Sequence, residues 1–315
     1  MQAQLKPPRL RVQVLFLYAL LEIIIGTVLF AGNSISVEAS HPGQKFKAHT
    51  IELRLAVDKI GSIDNTKAAS VKAHGDPVQF PCQSNSNPRP ILCYGPYQMR
   101  EAYGINELLK QNITGQGRSI AIIDAYGSPT LRKDVHAFNA TWGLPETSLH
   151  IYEPYGHQKA DSSWVAETSL DVEWAHVMAP GATINLVVAK SSNDVDIYYA
   201  IKYAIEQNLG DVISLSFGEN EACIDPSLRM AEHKLFASAL QKGITILAAT
   251  GDTGSAQATC SGKDFVEATS YPASDPLVTA VGGTALNADA VTGTYHSESA
   301  WNEAGVTNRA GGGGY

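Results

Sequence analysis

From Ser119 onward, short apolar runs alternate with amphipathic stretches, and this alternation constrains the chain more than any other feature. Strand-like "SIAIID" (119–124) precedes a helical stretch near 130–140, then "HIY" (150–152) and the helical run "AETSLDVEWAH" (166–176). "TINLVV" (183–188), a helix over 193–207, "DVISLS" (211–216), a helix over 226–241 and "ITILAA" (244–249) continue the pattern. Strands apolar throughout are buried on both faces, and helices between them carry the crossovers. The expected fold class is therefore α/β, a doubly wound, mostly parallel sheet with helices on both faces. In such sheets functional residues gather at the carboxyl ends of strands. Asp124, "FGEN" and "TGDTGS" all follow strands and should share that edge.

Residues before Ser119 read differently. Lys6, Arg9 and Arg11 precede an apolar run at residues 14–31, interrupted by Glu22 and Gly26. It is long for an export signal and barely long enough to span a bilayer, so a cleaved signal and an uncleaved anchor both fit. Val37-Glu38-Ala39 offers small residues before Ser40, favouring cleavage. Either outcome places the rest outside the cytoplasm, with the membrane touched only through 14–31. The expected organisation is a leader over 1–39, a short polar segment over 40–93 and one domain over 94–315.

Four cysteines suit an oxidising compartment. Cys82 and Cys93 flank a Ser/Asn/Pro tract, and Cys223 and Cys260 bracket a helix and strand, so 82 to 93 and 223 to 260 is the expected pairing among three connectivities. Metal-type CxxC spacing is missing. The 31 Asp and Glu exceed the 23 Lys and Arg, giving a formal charge of −8, and no basic block follows the leader, which argues against nucleic acid as a partner. "GQGRSI" (115–120) precedes a strand instead of following it and lacks a third glycine, which excludes a dinucleotide loop. Asn112 and Asn139 lie in N-x-T sequons, which marks their loops as candidates for exposure.

The helix at 166–176 carries an anomaly. At about 100° per residue, Glu167 and Asp171 fall on one stripe with Leu170, Trp174 and Met178, while Ser169, Glu173 and His176 face away. His176 is accordingly expected at the surface. Two carboxyls crowded on a packed face cannot both ionise easily, so they share a proton and one pKa rises, which makes a general acid or base. A helix rotated to put the pair at a wet boundary would leave them without meaning. The angles alone leave both readings open.

Neighbouring motifs add a resemblance. "YGPYQMREAYGI" (94–105), "ETSLDVEWAHVMAPGA", "VISLSFGENE", "ATGDTGS", "YPASDPLVTAVGGT" and "ESAWNEAG…GGGGY" occur in an order that resembles the sedolisin family, the serine-carboxyl peptidases with a subtilisin-like fold. The resemblance implies an endopeptidase that cleaves peptide bonds in acid. It assigns Glu167 as base, Asp171 as its partner, Asp252 as oxyanion donor, and Ser214, Leu215, Ser216, Phe217 and Gly218 as the stretch that pairs with substrate backbone. The expected partner is a peptide or protein substrate met by a monomer. No cofactor is expected in this chain, because the family's calcium-binding segment lies beyond residue 315.

Departures from the family pattern are specific. No serine here has the family's nucleophile setting: Ala285 occupies the look-alike "GGTAL" and Ser255 belongs to the "GDTGS" turn. The histidine motif of subtilisins is missing, so Asp124 is expected to shape a turn or support the cleft. Residues 40–93 are too few for the large prodomain of many sedolisins. A catalytically inactive, truncated homologue that binds peptides by backbone pairing is the alternative. Expressed as residues 40–315, the chain should not be labelled by an active-site serine reagent or a peptide aldehyde. Labelling of any serine that disappears in Glu167→Gln would overturn this expectation.

Overall fold

The structure, a computed structural model, describes residues 94–156, 159–303 and 309–313. The leader, the segment over 40–93 and Cys82 and Cys93 lie outside the described residues.

Two short helices, α1 (Pro96–Ala102) and α2 (Ile105–Lys110), lead into β1 (Ser119–Ala125), α3 (Leu131–Trp142), β2 (Ser148–Tyr152) and α4 (Ser162–Met178). Then follow β3 (Thr183–Ala189), α5 (Asp194–Glu206), β4 (Val212–Leu215), β5 (Glu219–Asn220), a 3₁₀ turn (Glu221–Cys223) and α6 (Pro226–Gln241). The chain continues through β6 (Thr245–Ala249), β7 (Ala256–Ala258), β8 (Phe265–Glu267), β9 (Ser270–Tyr271), β10 (Thr279–Val281), β11 (Thr284–Ala288) and β12 (Tyr295–Ala300). A six-stranded sheet runs in the order β10-β6-β4-β1-β3-β2, and its pairings are parallel. The expected α/β architecture is therefore present.

Period-two alternation sorts each strand between two apolar cores. Ala121, Ile123 and Ala125 of β1 join Val187 and Ala189 of β3 beneath α5 and α6. Ile122 joins Ile184, Leu186 and Val188 on the other face, beneath α3 and α4, with Leu131, Val135 and Val172 closing that layer. Asp124 has the parity of Ile122, so it projects toward α4.

Local signals set the helix limits. Asp161 caps α4 by accepting from Ser163 N at 2.9 Å, and Asp225 caps α6 through Ser227 N at 2.8 Å, with Pro226 at the first helical position. At its far end α4 is held by Arg100, whose Nε donates to the Val177 carbonyl at 2.6 Å. Cys223 and Cys260 form the expected disulfide, with Cα atoms 5.2 Å apart, tying the 3₁₀ turn to the segment after β7.

Two expectations are corrected by packing. The buried residues of α4 are Trp164, Glu167, Thr168, Val172, His176 and Val177, and Leu170 is 47% exposed. Helix α4 packs against β1 and β3 and also against α1 and α3. This rotates the apolar stripe away from Leu170 and buries His176 completely, with its Nε2 2.8 Å from the Pro145 carbonyl. Burial, the larger influence, depresses the His176 pKa and keeps it neutral. Asn112 is exposed, as its sequon suggested. Asn139 is instead buried in α3 with Nδ2 donating to Thr147 Oγ1 at 2.9 Å, so no glycan fits there.

Beneath α5 and α6, Glu232 of α6 is buried among Asp194, Glu219 and Asp275, with His233 Nδ1 2.9 Å from Asp275 Oδ2. Burial, aided by those three carboxylates, pushes Glu232 up to about 8 against the pull of the Tyr271 hydroxyl. A carboxyl with a raised folded-state pKa binds its proton more tightly when folded. Its stability contribution is full below the ordinary glutamate range and is lost as pH rises through about 8. The melting temperature should therefore fall between pH 5 and pH 8.5, and Glu232→Gln should flatten the decline and melt above wild type at pH 8.5. Parallel wild-type and mutant slopes in calorimetry would contradict this.

Candidate active site

Four elements converge at the carboxyl edge. Asp124 is the penultimate residue of β1, Glu167 and Asp171 lie one turn apart on α4, Ser216 follows β4, and Asp252 follows β6. Ile213, Leu215 and Phe217 enter the core beneath α5 and α6, so the alternation turns Ser216 to the opposite face, toward α4. The structure places Glu167, Asp171 and Asp252 together with Asp124 and Ser216 at this edge.

Asp124 is fully buried, and among the described residues neither of its carboxyl oxygens has a hydrogen-bond partner. The neighbouring Thr168 hydroxyl donates instead to the Trp164 carbonyl at 2.7 Å. Of the two roles expected for Asp124, shaping a turn or supporting the cleft, its place fits the second: it is a third carboxyl in the cluster. Burial first, then the charges of Asp171 and Glu167, drive its pKa far above the ordinary range, so it is neutral.

Glu167 is 9% exposed, and burial, then Asp171 and Asp252, raise it to about 8. Burial raises Asp171 to about 6 while the Ser216 hydroxyl pulls it down. Asp171 ionises most readily of the three, and its charge holds the others protonated. The cluster is a proton-sharing unit instead of three independent acids. Trp164, one turn before Glu167, stacks between Tyr126 and Phe217 with ring centroids 6.4 and 6.3 Å away, an aromatic wall that the sequence motifs did not single out.

Asp252 differs in being half exposed. Burial still raises its pKa, and Arg309 opposes that. Its carboxyl can be neutral in acid and donate, while remaining accessible from the cleft.

The stretch 214–218 is divided by the sheet. Ser214 is paired with Ile122 on one side and Leu247 on the other, and Leu215 with Ala248. The side chains of Leu215 and Phe217 are in the core. Ser216–Gly218 lie beyond the end of β4 and outside that ladder. Gly218 has no room for a side chain, because a Cβ there would collide with Ser270 Oγ.

Raised carboxyls occur elsewhere: Glu173, on another side of α4, is lifted to about 7 by burial and Asp134. The titration alone therefore marks no site; the clustering at the sheet edge does. Among the described residues no group of three or more His, Cys, Asp or Glu side chains could hold a metal ion, and no described helix is long and apolar enough to cross a membrane.

Carboxyl ¹³C NMR titration checks the order of ionisation. Asp171→Asn should lower the Glu167 midpoint from about 8 without restoring the ordinary value, since burial remains. Asp124→Asn should leave that midpoint in place, because Asp124 is already neutral.

The Subtilase family matches residues 104–306 of this chain. Kumamolisin of Bacillus sp. (strain MN-32) is 30% identical over 243 residues, which are 70% of this chain and 39% of that protein. Sedolisin of Pseudomonas sp. (strain 101) is 29% identical over 218 residues, 64% of this chain and 36% of that one. The solved structure of Pseudomonas sedolisin, a serine-carboxyl proteinase complexed with two molecules of pseudo-iodotyrostatin, superposes with a TM-score of 0.61 at 26% identity. That match covers 70% of this chain and 62% of the solved one. The chain spans less than half the length of the curated relatives it matches. It belongs to the subtilase family and, within that fold, to the sedolisins.

Proposed function

We propose that this chain belongs to a secreted serine-type endopeptidase of the serine-carboxyl kind, with Glu167 as general base, Asp171 as its proton partner and Asp252 as oxyanion donor. The observation that carries the reading is the cluster of unevenly titrating carboxyls beside Ser216–Gly218. The disulfide between Cys223 and Cys260 supports an oxidising compartment.

In this reading a peptide lies along Ser216–Gly218 by backbone hydrogen bonds. A serine hydroxyl attacks the scissile carbonyl carbon and gives its proton to Glu167. Glu167 holds a proton when Asp171 is ionised, so its own proton passes to Asp171 as it accepts the new one. The protonated Asp252 donates to the developing oxyanion. Glu167 then returns a proton to the leaving amine, the acyl bond to the serine remains, and water repeats the sequence to release the acid. Relay and donor need opposite ionisation: Asp171 charged, Asp252 neutral. A bell-shaped rate profile follows, with its low limb set by Asp171 near pH 6 and its high limb by loss of the Asp252 proton.

Full-length protein assayed on peptide substrates across pH tests this reading. Glu167→Gln keeps the shape but cannot relay a proton, so turnover should collapse; a mutant near wild-type turnover removes Glu167 from the chemistry. Asp252→Asn should be damaged less than Asp252→Ala, since Asn still donates, and the loss in the alanine variant should be about 10² to 10³ in kcat. Equal, undiminished turnover in both would assign Asp252 to the turn alone.

A further inference from the structure

Asp252 is held from behind by a second segment of chain. Ala310 N donates to the Asp252 carbonyl at 3.0 Å, Gly254 N to the Ala310 carbonyl at 2.9 Å, and Gly312 N to the Gly251 carbonyl at 2.8 Å. Ala310 also bridges Thr253 in parallel and Asn302 in antiparallel fashion. The register of 309–312 cannot slip. A Cβ on Gly311 would lie 2.9 Å from the Gly283 carbonyl oxygen, and one on Gly312 would run into the Thr250 carbonyl. These contacts fix Arg309 beside the Asp252 side chain, with Nη1 3.9 Å from Oδ2. The arginine side chain is only 16% exposed, so it is placed by packing and not free to swing away.

We propose that Arg309 is a positioning residue for Asp252, a charge latch that holds the carboxylate while it is ionised and releases it on protonation. The inference rests on the reading of Asp252 as an oxyanion donor and adds what controls it. A guanidinium keeps its charge at every working pH, so the state of the latch is decided by Asp252 alone. The ionised carboxylate is drawn toward Arg309; the neutral acid loses that attraction, and its O–H becomes free to turn to the cleft. Two groups face Asp252 from its two sides. Glu167, across the cleft, still holds its proton where Asp252 titrates and carries no charge there, so Arg309 supplies the charge that stabilises the ionised form. Glu303 brings a further carboxylate to the Arg309 strand, where its N–H donates to the Arg309 carbonyl at 2.8 Å.

The sign follows directly. Arg309 favours ionised Asp252, so removing its charge raises the pH at which Asp252 gives up its proton and widens the range in which the donor is available. The pair is half exposed, which keeps the effect small. In the full-length protein, Arg309→Gln should raise the Asp252 midpoint, read by ¹³C NMR, by roughly half a pH unit and move the high-pH limb of the rate profile by the same amount. Arg309→Lys should leave both near wild type. An unmoved Asp252 midpoint in Arg309→Gln overturns the latch and leaves Arg309 as a strand anchor. A raised midpoint with an unmoved rate limb keeps the latch and overturns instead the oxyanion role of Asp252. Should Arg309→Gln not fold, salt gives the same answer in the wild type: screening at about 0.5 M NaCl should raise the midpoint, and its failure to rise overturns the proposal.

Discussion

The docking of α4 against β1 sets a carboxylate-bearing helix against a strand that ends in another carboxyl, and the chemistry of the sheet edge depends on that contact. The apolar layer of Ile122, Ile184, Leu186, Val188 and Val172 drives the docking. It leaves Asp124, Asp171 and Glu167 at the end of the layer, where water is scarce and the carboxyls lie close enough to sense one another's charge. Three charges could not coexist there. Keeping their protons lets the layer close over these acids, and a substitution that relieves the crowding should change stability at this edge.

Much of the scaffold was readable because strand and helix periodicities report burial directly. The β3 run "TINLVV" and the helix from Pro226 to Gln241 need only local pattern and an Asp-Pro start to be placed. The disulfide partner of Cys223 was legible for a related reason, since the sequence between it and Cys260 had to turn back on itself. His176 and Asn139 were not legible, because each is buried with a polar partner outside its own helix, Pro145 for the histidine and Thr147 for the asparagine. A helical wheel assumes one buried face, whereas α4 is packed by α1 and α3 as well as by the sheet.

The candidate site shows the same division. Glu167, Asp171 and Asp252 stand in motifs whose order is informative. Asp124 had a weaker signal in its own strand: its parity with Ile120 and Ile122 already directed it to the α4 face, and the turn-forming reputation of aspartate obscured this. Arg309 carried no signal at all, because its role depends on glycines that admit close backbone approach, and a glycine run reads in sequence as mere flexibility. Raised carboxyls at Glu173 and Glu232 show that burial of an acid is a common device in this fold; location at the strand ends is what separates the cluster from them.

Glu167, Asp171 and Glu232 all hold protons more tightly folded than a free side chain would, so between pH 5 and pH 7 these three groups take up hydrogen ions as the native state forms. Protons are then a reactant of folding, and their concentration acts by mass action as a ligand's would. A fall in pH through that range therefore drives the folding equilibrium of these groups forward with no added partner. The heat of the transition becomes dependent on the buffer that gives up those protons, which makes the hidden carboxyls countable by calorimetry.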